Sequence, residues 1–395
     1  MTVRLTDRIK AVKPSATLAV GAKAAEMKAA GIDVISFGAG EPDFDTPNAI
    51  KAAAKAAIDA GDTKYVAKRG KELLKNICGA LKREIGLTYT PDQVLVSCGA
   101  KHSIYNLIQV LAQPGDEVVF QAPYWVSYYE MCNLAGATPV IVPTSDKNDF
   151  KMTPLSLEKA LTKNTRAIII NSPSNPTGAV YTRKELEALA AVLEKSPAIV
   201  ISDEMYNNLL YDGVEHWSIA SYNKAFGERT VVVNGASKTF AMTGWRIGYM
   251  AGPKDIVKAC ANLQSHSTSD AASISQAAAA EAFTQPLPEL AERLAEFDKR
   301  RRRMVELLNA IPGIQCRTPK GAFYAFPNVS GTFGRTLGGK TINSGMDFAA
   351  AALEQANVAV VPGEAFGDKN YIRLSYATSM KQIETGLDRL KKWLA

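Results

Sequence analysis

Between residues 93 and 251, short apolar runs alternate with longer helical patterns, and this alternation constrains the fold more than any other feature. Runs at 93–96, 117–120, 167–171, 198–202, 230–234 and 248–251 read as strands. Several are β-branched and apolar throughout, as expected when helices cover both faces of a parallel sheet. Helical stretches at 103–111, 156–161 and 183–193 lie between them. The pattern predicts an α/β fold with a largely parallel sheet. Ligands of such sheets sit at the carboxyl ends of the strands, so the residues there are the first candidates for chemistry.

At 395 residues the chain exceeds one ordinary domain. Beyond about residue 290 the pattern changes to a long charged helix (290–308), strands at 321–326, 358–361 and 371–375, and a last helix at 380–394. This predicts a second, smaller α+β domain. The N-terminal arm is expected to join it, with Pro42 and Pro47 bracketing a crossover. The expected division is a large domain over 46–288 and a small one over 1–45 with 289–395.

Five strand-end segments carry candidate chemistry. In Gly235-Ala236-Ser237-Lys238-Thr239, a lysine follows an apolar run, and Arg246 lies eight positions on. The pair suits an amine that forms a Schiff base and a guanidinium that holds a dianionic phosphate, because a lysine becomes nucleophilic where its surroundings help it lose a proton. Alone, the pair also suits a polar surface loop. Ser97-Cys98-Gly99-Ala100-Lys101 enters a helix through small residues, leaving N–H groups for an anion. Trp125, after Pro123-Tyr124, suits either stacking on a flat heterocycle or the core. Asn171-Ser172-Pro173-Ser174-Asn175-Pro176 is dense in turn residues after a strand, which suits either a plain surface turn or one that aims the Asn175 amide at the crevice. Asp203 closes an apolar strand in Ser202-Asp203-Glu204-Met205-Tyr206, where burial is costly unless a cation pairs with it. A protonated pyridine nitrogen is such a cation.

Together these segments resemble the class I aminotransferases that use pyridoxal 5′-phosphate, most closely the bacterial-type aspartate aminotransferases. The resemblance implies that class's fold, its cofactor, amino acid and 2-oxo acid substrates, and a homodimer with active sites shared across the interface. By motif it implies Lys238 as the Schiff-base lysine, Asp203 as the pyridinium partner, Tyr206 and Asn175 on the ring oxygen, and Trp125 as the stacking residue. Arg246, Ser237 and the backbone of Gly99, Ala100 and Lys101 would clamp the phosphate, with Tyr65 of a second subunit. Arg373 would take the substrate α-carboxylate, which a bidentate guanidinium fits. Gly40 would meet the same carboxylate through its backbone. Lys101 would hold the side-chain carboxylate of aspartate or glutamate, with Ser265 of the second subunit nearby. The expected reaction moves the amino group of L-aspartate to 2-oxoglutarate.

The chain departs from the family pattern at His102, Asp270 and Asn357, where glutamine, asparagine or serine, and glycine are usual. The subgroup also includes enzymes that accept prephenate or aromatic oxo acids, and Lys13 in the N-terminal arm suits an extra carboxylate or simply solvent. A rival reading is a nucleotide-binding module, because Gly334-Arg335-Thr336-Leu337-Gly338-Gly339-Lys340-Thr341 matches the phosphate-loop pattern. Its context argues for a surface loop: Pro327 and polar residues separate it from the preceding strand.

Composition narrows the alternatives. The net charge of +7 is densest at Lys299-Arg300-Arg301-Arg302-Arg303, but five consecutive helical residues surround the axis and no aromatics interleave them. They read as a solvated helix meeting nearby acids, not as a nucleic-acid surface. Three separated histidines and five scattered cysteines suggest neither a metal site nor disulfides. With no apolar span for a membrane and no apolar signal core at the start, a cytoplasmic location without a membrane partner is expected.

Overall fold

The computed structural model describes residues 3–65, 69–285 and 287–395. Met1 and Thr2, which open the segment read for a targeting signal, lie outside them.

Seven strands form the central sheet: Val94–Ser97 (β1), Glu117–Ala122 (β2), Thr138–Pro143 (β3), Thr165–Asn171 (β4), Ile199–Asp203 (β5), Thr230–Gly235 (β6) and Gly248–Ala251 (β7). Their order is β1-β7-β6-β5-β4-β2-β3. Only β7 runs antiparallel to its neighbours; the other pairs are parallel. The strands expected between residues 93 and 251 are present within a residue or two, and β3 is an addition. It escaped the apolar-run criterion because it is an edge strand, half exposed and with prolines at positions 139 and 143.

The inner strands bury both faces: every residue of β6 is buried, as are all but Arg166 in β4. Helices close both sides. Arg183–Leu193 begins with a capping box, in which Thr182 Oγ1 accepts the Glu185 N–H and the Glu185 carboxylate accepts the Thr182 N–H at 2.7 Å.

The C-terminal part contains a three-stranded antiparallel sheet of Val361–Pro362, Ile372–Ser375 and Tyr324–Ala325, with Ile372–Ser375 in the middle. Helices Glu289–Asn309 and Met380–Trp393 pack against each other there. The N-terminal arm joins this part: Ile35–Ser36 pairs in parallel with Val358–Ala359, and Phe37 O accepts the Ser375 N–H at 2.8 Å. One apolar core runs through both parts, from Ile104, Phe120 and Val233 to Phe297, Phe323 and Leu374. The C-terminal sheet is thereby held against the open end of the large one. Asn357 takes the left-handed conformation (φ 54°) that caps the preceding helix, a position asparagine tolerates.

The basic run corrects the expectation of a solvated helix. Its side chains do meet acids, but Arg300 and Arg301 are buried. The fully enclosed Arg301 guanidinium donates to both oxygens of Asp212 at 3.0 and 2.8 Å, to Asp298, and to Pro319 O at 2.7 Å. Arg302 and Lys320 also reach Asp212, so one carboxylate gathers three cations. Arg300 holds Asp43 of the N-terminal arm at 2.8 Å. Burial is tolerable because each guanidinium is paired. The run therefore fastens neighbouring segments together.

The phosphate-loop match forms a hairpin, with Thr336–Leu337 antiparallel to Lys340–Thr341, and its Lys340 is ion-paired to Glu354.

Candidate active site

The carboxyl ends of β4, β5 and β6 are brought level by register: Asn171 pairs with Asp203, and Asp203 with Val233. Beyond them lies a cavity of about 620 Å³. Of the residues singled out in the sequence, Gly40, Ala100, Lys101, Trp125, Asn175, Asp203, Tyr206, Ser237, Lys238, Arg246 and Arg373 line it.

Asp203 is buried at the cavity wall. Its Oδ2 accepts the Tyr128 hydroxyl at 2.5 Å and its Oδ1 the Met205 N–H at 3.3 Å. Burial pushes its pKa up to about 6, against the lowering effect of those two donors. No cation among the described residues pairs with it. Glu204, next in the chain, turns the other way. It is held by Ser202 Oγ at 2.7 Å, Ser218 Oγ at 2.5 Å and His216 Nε2 at 2.9 Å.

Lys238 follows β6, and its Nζ donates to Gly40 O at 2.5 Å. Burial brings this amine down to about 8, helped by the charges of Arg373, Arg246 and Lys101 and opposed by Glu41. An amine so tuned is within reach of deprotonation near neutral pH.

Arg373 lies in the middle strand of the C-terminal sheet and is buried. Its Nη1 donates to Asn175 Oδ1 at 3.0 Å and its Nη2 to Gly38 O at 3.1 Å, while Nε has no partner. The guanidinium lies 4.4 Å from the Tyr324 ring centroid and 5.0 Å from that of Phe366. Burial lowers its pKa from the ordinary arginine value. No carboxylate among the described residues pairs with it. A buried, unpaired guanidinium facing a cavity calls for an anionic ligand.

The turn from β1 into the helix Ala100–Leu111 forms an anion cradle. Gly99 caps that helix at φ 87°, and a Cβ there would fall 2.4 Å from Arg246 Nη2. Gly248 likewise leaves no room for a Cβ, which would meet Ala100 N at 2.1 Å. Two glycines thus let β7 and the guanidinium close on the helix N-terminus. Arg246 is held by Thr243 O at 2.7 Å and Cys98 O at 3.3 Å, with no carboxylate partner among the described residues. Ser237 is buried at the same wall. Lys101 is solvent-accessible, its amine 5.1 Å from the Trp125 ring centroid; desolvation and the nearby Arg246 charge lower its pKa.

The remaining candidates lie apart from this cavity. Tyr65 is 89% exposed, and Ser265 is exposed with its hydroxyl on Asn262 O. Neither lines the cavity of its own chain. Lys13 lines a neighbouring cavity of about 850 Å³ whose wall includes Lys101, Arg246, His102 and Tyr129. Its backbone N–H donates to Glu130 at 3.2 Å. Asp270 is exposed and lines neither cavity.

Sequence reasoning missed two residues of the site and the bonds made by a third. Tyr128 donates to Asp203, Tyr324 bonds the Tyr206 hydroxyl at 2.9 Å, and Asn171 holds both the Asn175 N–H and Asp203 O. Tyr128 stands three residues after Trp125 at the start of the helix Ser127–Ala135, the one signal that would have marked it.

Residues 32–390 match the family described as aminotransferase class I and II. The aspartate/prephenate aminotransferase of Cereibacter sphaeroides is 49% identical, covering 99% of this chain and 98% of its own. The aspartate aminotransferase of Geobacillus stearothermophilus is 47% identical over 99% of both chains. The crystal structure of the aspartate aminotransferase from Rhizobium meliloti superposes with a TM-score of 0.96 at 43% identity, covering 100% of this chain and 99% of that one.

Proposed function

The chain belongs to the class I and II aminotransferases, and on that premise we propose that it moves the amino group of L-aspartate to 2-oxoglutarate with pyridoxal 5′-phosphate as cofactor. The observation that carries the reading is Arg373: a buried guanidinium without a carboxylate, opening on the same cavity as a tuned lysine and a buried aspartate. The residues fit the cofactor. The Gly99–Arg246 cradle suits its phosphate, the cation-deficient Asp203 suits its ring nitrogen, and Lys238 suits its aldehyde. When bound, that group supplies an electrophilic aldehyde and a ring that withdraws electrons from the bonds at the substrate's Cα.

The chain's own residues then have distinct tasks. Arg246, Ser237 and the backbone N–H groups of Ala100 and Lys101 hold the phosphate. Asp203 keeps a proton on the ring nitrogen by staying anionic beside it. Tyr206 and Asn175 donate to the ring oxygen. Arg373 grips the α-carboxylate with its fork, next to Gly40, and Lys101 takes the second carboxylate of a dicarboxylic substrate. Two anchored carboxylates orient the Cα–H bond, and the Lys238 amine removes that proton and later returns it. Trp125 covers the ring face.

The same reading assigns residues 46–288 to a cofactor domain and 1–45 with 289–395 to a smaller one. It pairs two copies, so that Tyr65 and Ser265 of each reach the other's site; their exposure in a single chain supports this. A cytoplasmic location is supported by five cysteines that are all free thiols.

A second reading, aspartate/prephenate transamination, is favoured by the 850 Å³ cavity that adjoins the site through Lys101, Val126 and Arg246, with Lys13 on its wall. It offers space for a bulkier oxo acid carrying another carboxylate. Amino transfer from aspartate measured against 2-oxoglutarate, phenylpyruvate and prephenate tests both readings. Turnover with 2-oxoglutarate supports the first and added turnover with prephenate the second. No transfer from aspartate to any acceptor overturns both.

A further inference from the structure

We infer that Tyr128 is a positioning residue for the cofactor's ring nitrogen, acting through Asp203; this rests on the proposed cofactor. Its hydroxyl is buried and lies 2.5 Å from Asp203 Oδ2. Among the described residues, the only other donor on that carboxylate is the Met205 N–H, at 3.3 Å on Oδ1. An ionised carboxylate only accepts hydrogen bonds, so a tyrosine committed to it as donor favours the anionic form and fixes one oxygen.

Packing sets the hydroxyl's position. The Tyr128 ring meets Phe120 and Trp125 edge-on, at centroid distances of 5.8 and 5.3 Å. Its backbone N–H donates to Trp125 O at 3.0 Å. One turn of chain therefore places Trp125 on the cavity wall and, three residues on, braces the acid at the end of β5. Burial, followed by the Asp203 charge, holds the Tyr128 phenol well above its ordinary pKa, so it stays a donor. Without that hydroxyl, Oδ2 loses its donor in a desolvated site, where the neutral acid is favoured. A neutral Asp203 cannot pair with a protonated ring nitrogen.

The test compares the affinity of cofactor-free wild type and Tyr128→Phe for two probes. One is pyridoxal 5′-phosphate; the other is its deaza analogue, in which carbon replaces the ring nitrogen. Phenylalanine keeps the ring contacts, and thermal unfolding checks that the variant folds. The expected result is a loss of affinity for the cofactor of about tenfold or more, with the analogue changed less than about twofold. In an Asp203→Asn background, Tyr128→Phe should then cost nothing further. Equal losses on both probes would mean that Tyr128 acts by packing alone, and no loss on either that it is idle; each overturns the inference. If wild type binds neither probe, the cofactor reading itself falls and takes the inference with it.

Discussion

Arg373 and Asn175, 198 residues apart in the chain, meet in a buried hydrogen bond of 3.0 Å that joins the C-terminal sheet to the turn after β4. The contact leaves the guanidinium's Nε unpartnered, which makes Arg373 the second guanidinium on the cavity wall, beside Arg246, that calls for an anion.

Arg373→Ala should therefore lower kcat/KM for aspartate by two to three orders of magnitude, on the order of 3–4 kcal/mol, because a charged fork to a buried carboxylate is lost. Arg373→Lys should recover only part of this, since an ammonium lacks the planar pair of donors. Steady-state kinetics with aspartate and with an amine lacking the α-carboxylate checks the assignment. A comparable loss for both substrates would remove Arg373 from carboxylate binding.

Lys238 has an amine brought down to about 8, so in the ligand-free protein it is mostly protonated below that pH and mostly neutral above it. Arylation by trinitrobenzenesulfonate, mapped by mass spectrometry, should rise through pH 8 and level off for Lys238, while an ordinary lysine continues to rise toward about 10.4. A midpoint near 10 would contradict the tuning. Lys238→Ala should abolish transamination, and full turnover in that variant would exclude the assigned role.

Asp203 is raised in the folded protein from 3.8 to about 6, so the native state binds more protons than the unfolded chain between those pH values. Its contribution to stability thus falls as pH rises through that window and remains a penalty above it. Asp203→Asn should leave ligand-free protein as stable as wild type at pH 7 or more so, by up to about 3 kcal/mol. The difference should shrink toward pH 4. Differential scanning calorimetry at both pH values decides; a variant clearly less stable at pH 7 than at pH 4, relative to wild type, contradicts the sign. The same variant should bind pyridoxal 5′-phosphate poorly.

Lys101→Met should weaken aspartate and glutamate about tenfold to a hundredfold in kcat/KM while changing phenylalanine less than about threefold, because only a dicarboxylic substrate uses that cation. Parallel assays with the three amino acids read the difference. Equal losses would detach Lys101 from specificity.

Much of this is legible in the sequence itself, for identifiable reasons. Strands β4 and β6 announce themselves because they are buried on both faces, and their ends deliver Asn171 and Gly235 to one edge. Asp203 stood out as an acid closing an apolar run. The edge strand β3 did not, its short apolar run being bracketed by Pro139 and Pro143 and half exposed. The partnerships of Tyr128 with Asp203 and of Tyr206 with Tyr324 span 75 and 118 residues and depend on packing that no local pattern encodes. The basic run misled for a related reason: whether Arg301 meets solvent depends on Asp212, 89 residues earlier.

At the end of β5, two acidic residues stand side by side with opposite assignments: Asp203 faces the cavity, and Glu204 is tied up behind it by two hydroxyls and His216. Because successive side chains alternate across a sheet, deleting a single residue in this strand would bring Glu204 to the cavity, and inserting one would bring Ser202 there. The cavity would then face either a glutamate on a longer stem or an uncharged hydroxyl. Composition would scarcely change, yet the tool would be aimed at the wrong room. For this enzyme, counting along one short strand matters as much as the identity of the acid it carries.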